Sequence, residues 1–260
     1  MTSLAIIMIT LNEEHNIQNI IDNITDICDE IFVLDSFSND KTIEILKKNN
    51  IIFKQKKFVN FGDQWNYALN NFTIKSKWTM KLDPDERLSE DLKKEITSLL
   101  KKDSYDYYTI KRRLWFMNMK LNSTQYVDRI WKTGHCKFSD VMVNEIPIIS
   151  GKNYLLKNEL KHLDSPNLNH WIKKQNVYSE FLAKEILLFT KGKTFKSNNM
   201  IKKRMLFYKI PFKYFFLFFY HYLYLGAWKM GLVGYHWSYL RCFVYRLTEL
   251  KYKEMQKYDP

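Results

Sequence analysis

The chain has 260 residues and a formal net charge of +13, enough length for one large domain or for a domain with an appendage. Its three cysteines, Cys28, Cys136 and Cys242, are odd in number and far apart, which excludes a disulfide framework and a cysteine metal site and points to a reducing compartment. The charge is uneven: from Gly192 onward 13 Lys/Arg stand against 3 Asp/Glu, so +10 of the +13 belongs there. A basic surface of that kind attracts nucleic acid, anionic lipid or phosphorylated ligands.

In chain order, residues 4–10 form a continuous apolar run of the kind a strand buried on both faces shows. No basic segment or cleavage site accompanies it, so no secretory leader is expected. Residues 16–27 place Ile17, Ile20, Ile21, Ile24 and Ile27 at helical spacing. Residues 30–34 read as a second strand, 41–48 as a short helix and 51–54 as a third strand. A helix over 62–71, with Trp65, Ala68 and Leu69 on one side, precedes a fourth strand over 78–82. Short apolar strands alternating with helices predict a mostly parallel sheet with right-handed crossovers. An amphipathic helix over 89–100 carries Leu92, Ile96, Leu99 and Leu100. Residues 105–114, 126–132 and 154–160 then read as strands of an antiparallel extension, and 166–189 as a further helix. The change in charge and aromatic content near residue 192 divides an α/β domain, residues 1–191, from a basic, aromatic helical extension, residues 192–260.

The residues that carry chemistry gather at the predicted C-terminal ends of the strands, where an open α/β sheet takes its ligands. Asp83-Pro84-Asp85-Glu86 follows the fourth strand. A D-x-D pair there can hold a divalent cation, because hard cations bind through one or two carboxylates plus the phosphate oxygens of a substrate. Thr10-Leu11-Asn12-Glu13-Glu14 closes the first strand and leads into a helix. That arrangement suits a nucleotide, with backbone N–H groups and the helix dipole facing its anionic part, although Asn12 and Glu13 serve equally as caps. Asp35 ends the second strand, where a carboxylate can accept a base N–H or a ribose hydroxyl; Asp40 reads most simply as an N-cap. Neither a G-x-G-x-x-G loop nor a P-loop lysine is present, which counts against dinucleotide oxidoreductases and phosphate-loop ATPases. A diphosphate then needs another counter-charge, and a metal at Asp85 provides one. Lys111-Arg112-Arg113 and Arg129 read either as cations for a diphosphate or phosphorylated acceptor or as exposed strand-face residues. His162 reads as a packed or surface residue.

The order strand–TLNEE–helix–strand–VLDSFSNDKT–helix, followed by W-x-x-K-LDPDE, resembles the family 2 glycosyltransferases, inverting enzymes on a Rossmann-like nucleotide-sugar fold. It is most similar to the subgroup containing lipopolysaccharide inner-core β-glucosyltransferases. Their R-L-F segment, V-H-E motif and Pro-Phe opening of an aromatic region are matched here by Arg129-Ile130-Trp131, Val143-Asn144-Glu145 and Pro211-Phe212. Pro84 replaces a small residue, Asn144 replaces a histidine, and Gln125 stands where relatives often have an acid. The resemblance implies an α/β, Rossmann-like nucleotide-sugar transferase fold with a mixed, mostly parallel sheet. It implies a nucleotide-sugar donor, UDP being the expected carrier, with Mg²⁺ or Mn²⁺ and a lipopolysaccharide core or related glycan as acceptor. By the same resemblance, Thr10, Asn12 and Glu13 line the nucleotide pocket, Asp35 contacts the base, Asp83 faces the ribose or sugar, and Asp85 ligates the metal. Glu145 is the expected general base, with Asp128, Asp140 and Glu86 in reserve.

The aromatic run between Phe212 and Trp228 is bracketed by Lys213 and Lys229 and interrupted by His221. It is shorter than the ~20 apolar residues a membrane span needs. Tyr and Trp favour the headgroup level and lysines attract anionic lipid, so a peripheral contact with the inner face of the cytoplasmic membrane is expected. The alternative is that these aromatics pack on the catalytic domain. Two other function classes remain at this stage: single-stranded nucleic-acid binding through the basic aromatic region, which the clustering of the rings disfavours, and a sugar nucleotidyltransferase, which also uses a carboxylate-held metal.

Overall fold

A computed structural model of the protein describes residues 3–117, 119–139, 145–163, 167–192 and 199–258. The strands are β1 (Leu4–Thr10), β2 (Glu30–Asp35), β3 (Ile52–Gln55), β4 (Trp78–Lys81), β5 (Glu86–Arg87), β6 (Tyr107–Phe116), β7 (Met119–Lys132), β8 (Cys136–Phe138), β9 (Pro147–Ile149) and β10 (Asn153–His162). The helices are α1 (Ile17–Ile24), α2 (Thr42–Lys48), α3 (Phe61–Asn71), α4 (Glu90–Lys102), α5 (Leu168–Thr190), α6 (Asn199–Tyr208), α7 (Lys213–Phe219) and α8 (Gly231–Tyr258). Two compact units result: Met1–Trp115 with Thr124–Asp164, and Phe116–Ser123 with Ser165–Pro260. The boundary expected at 191/192 therefore falls inside the second unit, because α5 packs along α8.

In the first unit an eight-stranded sheet runs β3-β2-β1-β4-β7-β6-β10-β5. β1 is parallel to both β2 and β4, and β2 to β3. The alternation along β1 explains its unbroken apolar run. Leu4, Ile6 and Met8 meet Ile17, Ile20 and Ile24 of α1 and Leu92 and Ile96 of α4, while Ala5 and Ile7 meet Trp65 and Ala68 of α3 on the other face. Helices α3 and α4 begin where the sequence supplies a cap: the Asp63 N–H donates to Asn60 Oδ1 at 2.7 Å, and the Leu92 N–H donates to Ser89 Oγ at 3.2 Å.

The second half of the sheet departs from expectation. β7 is antiparallel to β4, but β10 runs parallel to β6. Between β7 and β10 the chain builds the separate β8–β9 hairpin, and after that detour it re-enters the sheet in the direction of β6. The two-residue strand β5 was not expected at all. It pairs antiparallel with β10, with Glu86 opposite His162 and Arg87 opposite Lys161. Four strand intervals separate β4 from β5, about 19 Å in a flat sheet. The five residues from Lys81 to Glu86 reach at most ~18 Å fully extended, and they are bent at a turn. The sheet must therefore curl, which brings the end of β10 back to the mouth of β4.

In the second unit α5 packs on α8, with Ala183, Ile186, Ile201 and Tyr252 at its centre. Trp171 and Trp237 close around Phe116 at ring-centroid distances of 5.8 and 5.2 Å. Gly234 is required here, since a Cβ at that position lies 1.8 Å from the Ala227 carbonyl oxygen. Glu249 is buried and accepts hydrogen bonds from Lys213, Lys253 and the Tyr214 hydroxyl.

Candidate active site

The C-terminal ends of β2, β1 and β4 carry the residues singled out from the sequence. Thr10 and Asp35 are register partners across β1 and β2, and the Thr10 hydroxyl donates to Asp35 Oδ1 at 3.0 Å. Asp35 is fully buried. It also accepts from the Ser38 N–H at 2.9 Å, the Ser38 hydroxyl, and Gln55 Nε2 at 2.9 Å. Both of its oxygens are engaged by the chain itself, so it braces the loop after β2 instead of pointing into open space.

The loops after β1 and β2 are tied to each other. Asn12 has the left-handed φ of +58° that asparagine tolerates better than most residues. Its N–H donates to Ser38 Oγ at 2.8 Å and its Oδ1 accepts from the Asn39 N–H at 2.9 Å. The Glu13 N–H donates to the Thr42 hydroxyl at 2.8 Å. Asp40, expected as a simple N-cap, accepts from both the Thr42 and the Glu14 N–H groups and so joins the two loops. Burial opposes its charge, but the Thr42 hydroxyl and those two N–H groups hold it below the ordinary aspartate range.

After β4 comes a cluster of alternating charge. Arg129, only 3% exposed, donates to Asp83 Oδ2 at 2.8 Å and to Glu86 Oε1 at 2.5 Å. Arg112 lies 3.2 Å from Glu86 and 3.6 Å from Asp83. Burial works against the Asp83 carboxylate, yet Arg129 and Lys81, with Arg112 further off, hold it well below the usual range despite the repulsion of Asp85. Arg129 itself, disfavoured by burial, is pushed above the ordinary guanidinium value by Glu86, Asp83 and Glu145. Arg129 is thus an interior counter-ion to two acids, neither an exposed strand-face cation nor, as arranged, a free anion receptor. Glu86, a reserve base, is sealed between two arginines with no exposure.

Glu145 forms an ion pair with Lys81, whose ammonium stands 4.4 Å from the Trp65 ring centroid and 5.3 Å from that of Phe138. Two aromatic faces and a carboxylate fix this lysine, and the lysine fixes Glu145. Asp128 accepts from the Thr109 hydroxyl; Asp140, Val143 and Asn144 lie outside the described residues. Arg113 pairs with Glu159.

Asp85 is 5% exposed, and its Oδ2 lies 3.3 Å from His162 Nε2. Arg87 donates to the Pro84 and Glu86 carbonyls, both at 2.6 Å, and to the Asn16 carbonyl at 3.3 Å, pinning the acidic turn against the entry to α1. Burial lowers Arg87, while Asp85 and Glu13 act in the opposite direction, so these two acids share its field. Thus Glu13, Asp85, Asp83 and Glu145 belong to one connected electrostatic cluster. Lys81 and Arg87 are not among the expected site residues, and His162, expected only as a packed or surface residue, stands beside Asp85. Lys81 stood inside the quoted W-x-x-K-LDPDE motif, but nothing local marks His162, which arrives through the β5–β10 pairing.

Cysteine chemistry is absent from this arrangement. Burial pushes the Cys28 and Cys136 thiols up to about 12 and that of Cys242 to about 11, so none is a thiolate near neutrality.

Residues 5–163 match the family model of glycosyl transferase family 2, more than half of the chain. The chain belongs to that family. An uncharacterised glycosyltransferase of Rickettsia typhi is 27% identical over 216 residues, 76% of this chain and 72% of the relative. One from Rickettsia prowazekii is 26% identical over 206 residues, 72% of this chain and 69% of the relative. Among solved structures, S. aureus TarS in complex with UDP gives a TM-score of 0.47 at 14% identity, covering 88% of this chain and 75% of that one. This family 2 glycosyltransferase is therefore an enzyme of sugar transfer, and its mixed, mostly parallel sheet is the Rossmann-like nucleotide-sugar transferase fold.

Among the described residues no group of three or more His, Cys, Asp or Glu could hold a metal ion. The Asp85–His162 pair nonetheless fits a divalent cation that takes its other ligands from a diphosphate and water. Neighbouring donors on an octahedral ion at ~2.1 Å lie about 3.0 Å apart, close to the 3.3 Å between Asp85 Oδ2 and His162 Nε2. The carboxylate suits Mg²⁺ or Mn²⁺, whereas an imidazole suits a transition-metal ion, so the pair favours Mn²⁺ over Mg²⁺.

Proposed function

We propose that this glycosyltransferase moves a hexose from a UDP-sugar to a hydroxyl of a lipopolysaccharide core or related glycan, with inversion at the anomeric carbon. The observation that carries the donor half is the Asp85–His162 pair at the mouth of β4, in the same charged cluster as Glu13 of the β1 loop. Asp85 and His162 would hold Mg²⁺ or Mn²⁺, which when bound neutralises the diphosphate leaving group as the glycosidic bond breaks. The acceptor half rests on the likeness of Arg129-Ile130-Trp131, Glu145 and Pro211-Phe212 to the inner-core subgroup.

In this reading Thr10, Asn12 and Glu13 frame the nucleotide, and Asp35 acts mainly by holding Thr10 and Ser38 in place. The acceptor oxygen forms a bond to the anomeric carbon as the bond from that carbon to the β-phosphate oxygen breaks, and the electron pair leaves with UDP. The acceptor proton passes to the Glu145 carboxylate, which Lys81 orients. Asp83, kept anionic by Arg129, stands ready for a ribose or sugar hydroxyl.

Thermal denaturation with a panel of nucleotide-sugars, with and without Mn²⁺, tests the reading. Stabilisation by a UDP-sugar that grows with concentration and needs the metal supports it, as binding to the native state alone requires. No shift with any sugar nucleotide removes it.

A further inference from the structure

The second unit carries an apolar stripe on its outside. Phe212, Phe215, Phe216, Phe219, Leu223 and Tyr224 recur at i, i+3, i+4, i+7, i+11 and i+12 through α7 and the π-helical turn Tyr220–Tyr224. Such spacing normally marks the face a helix turns to the core. Here those six residues are 82%, 60%, 58%, 39%, 54% and 79% exposed, while Leu217 and His221 between them are buried. Phe212 holds its ring out from a left-handed backbone, φ +51°, a conformation unfavourable for a bulky residue that gains no packing in return.

Charge identifies the occupant. No Asp or Glu occurs between Ile186 and Thr248, a stretch that contains Lys202, Lys203, Arg204, Lys209, Lys213 and Lys229. Lys202, Lys203, Lys209 and Lys229 are exposed. A second copy of the chain would bring like charge against like charge. A contiguous Phe/Leu stripe also differs from the spaced rings on which single-stranded bases stack. Rings and an aliphatic side chain flanked by lysines fit an anionic bilayer, with apolar groups below the headgroups and ammonium groups among the lipid phosphates. Among the described residues no helix is long and apolar enough to cross a membrane.

We infer that residues 212–224 lie in the plane of an anionic lipid surface and bind the second unit to it peripherally. This does not rest on the donor reading, because vesicle binding is measured without a sugar nucleotide.

The test is co-sedimentation of the full chain with phosphatidylcholine vesicles containing or lacking phosphatidylglycerol. Binding is expected with the anionic vesicles and is expected to weaken with salt. Replacing Lys202, Lys203 and Lys209 together by Gln should lower the partition coefficient on the order of a hundredfold, from about fivefold per lysine. Phe212→Gly separates the role from folding: relief of the left-handed strain should raise Tm while vesicle binding falls at least severalfold. Wild-type protein that stays in the supernatant with every vesicle overturns the inference. So does a dimer in sedimentation velocity that F216S dissolves while vesicle binding stays unchanged, or retention by RNA without retention by vesicles.

Discussion

His162 stands 3.3 Å from Asp85 although 77 positions separate them in the sequence, because Glu86 and His162 are register partners in the β5–β10 pair. The acidic turn after β4 and the last strand of the sheet thereby present a carboxylate and an imidazole at one point. If a cation is held there, the two residues share its binding. Asp85→Ala should abolish metal-dependent UDP release, and His162→Ala should raise the Mn²⁺ concentration for half-maximal activity more than tenfold with a smaller loss of maximal rate. Titration of activity against Mn²⁺ after chelator treatment measures both. Unchanged turnover by the Asp85 variant would remove the metal assignment.

Glu145 tests the acid–base step separately. Glu145→Gln preserves shape and a hydrogen-bond acceptor for Lys81 but removes the basic carboxylate. Turnover should fall on the order of 10²- to 10⁴-fold, the range attributed to a positioned general base, while donor affinity by calorimetry stays within twofold. Wild-type rates would move the role to another acid, with Asp128 next.

Arg129 is a prediction about stability. It is the shared counter-ion of Asp83 and Glu86, and Glu86 has no exposure. Removing one partner of a buried ion pair leaves an uncompensated charge and costs about 3–5 kcal/mol. Arg129→Ala should therefore shift the urea midpoint strongly downward. Asp83, 26% exposed at its side chain, should be the milder site, with Asp83→Asn costing well under half as much.

His221 predicts an acid-sensitive second unit. Buried beneath the aromatic stripe, it has no hydrogen-bond partner for either ring nitrogen among the described residues. Burial first, and Arg241 second, lower its pKa from 6.5 to about 4. The unfolded chain binds its proton near pH 6.5 and the folded chain only near pH 4, so stability is complete above about 6.5 and declines as pH falls between those values. The loss approaches about 3 kcal/mol near pH 4. Chemical denaturation at pH 7 and pH 4.5 should show this slope in the wild type and a shallower one in His221→Leu. Equal slopes would mean that other groups control acid sensitivity.

The first half of the fold and the strand ends that carry the candidate site were legible in local pattern. The two-sided apolar run of β1, the isoleucine spacing of α1 and the acids after β4 are local patterns, and local backbone and burial preferences suffice to read them. The rest came from pairing between segments distant in the chain. The direction of β10, the existence of β5 and the arrival of His162 beside Asp85 depend on curling of the sheet, which pairs residues with no mark in their own neighbourhoods. The same holds for Arg129, Glu86 and Asp35. Position and motif made Asp35 and Arg129 candidate binders and Glu86 a reserve base, but whether a charged side chain meets a ligand or an internal counter-charge depends on which strand lies beside it. The aromatic tail is the converse case. Its spacing resembles a core-facing helix, and only the folded chain shows that this face is left outside.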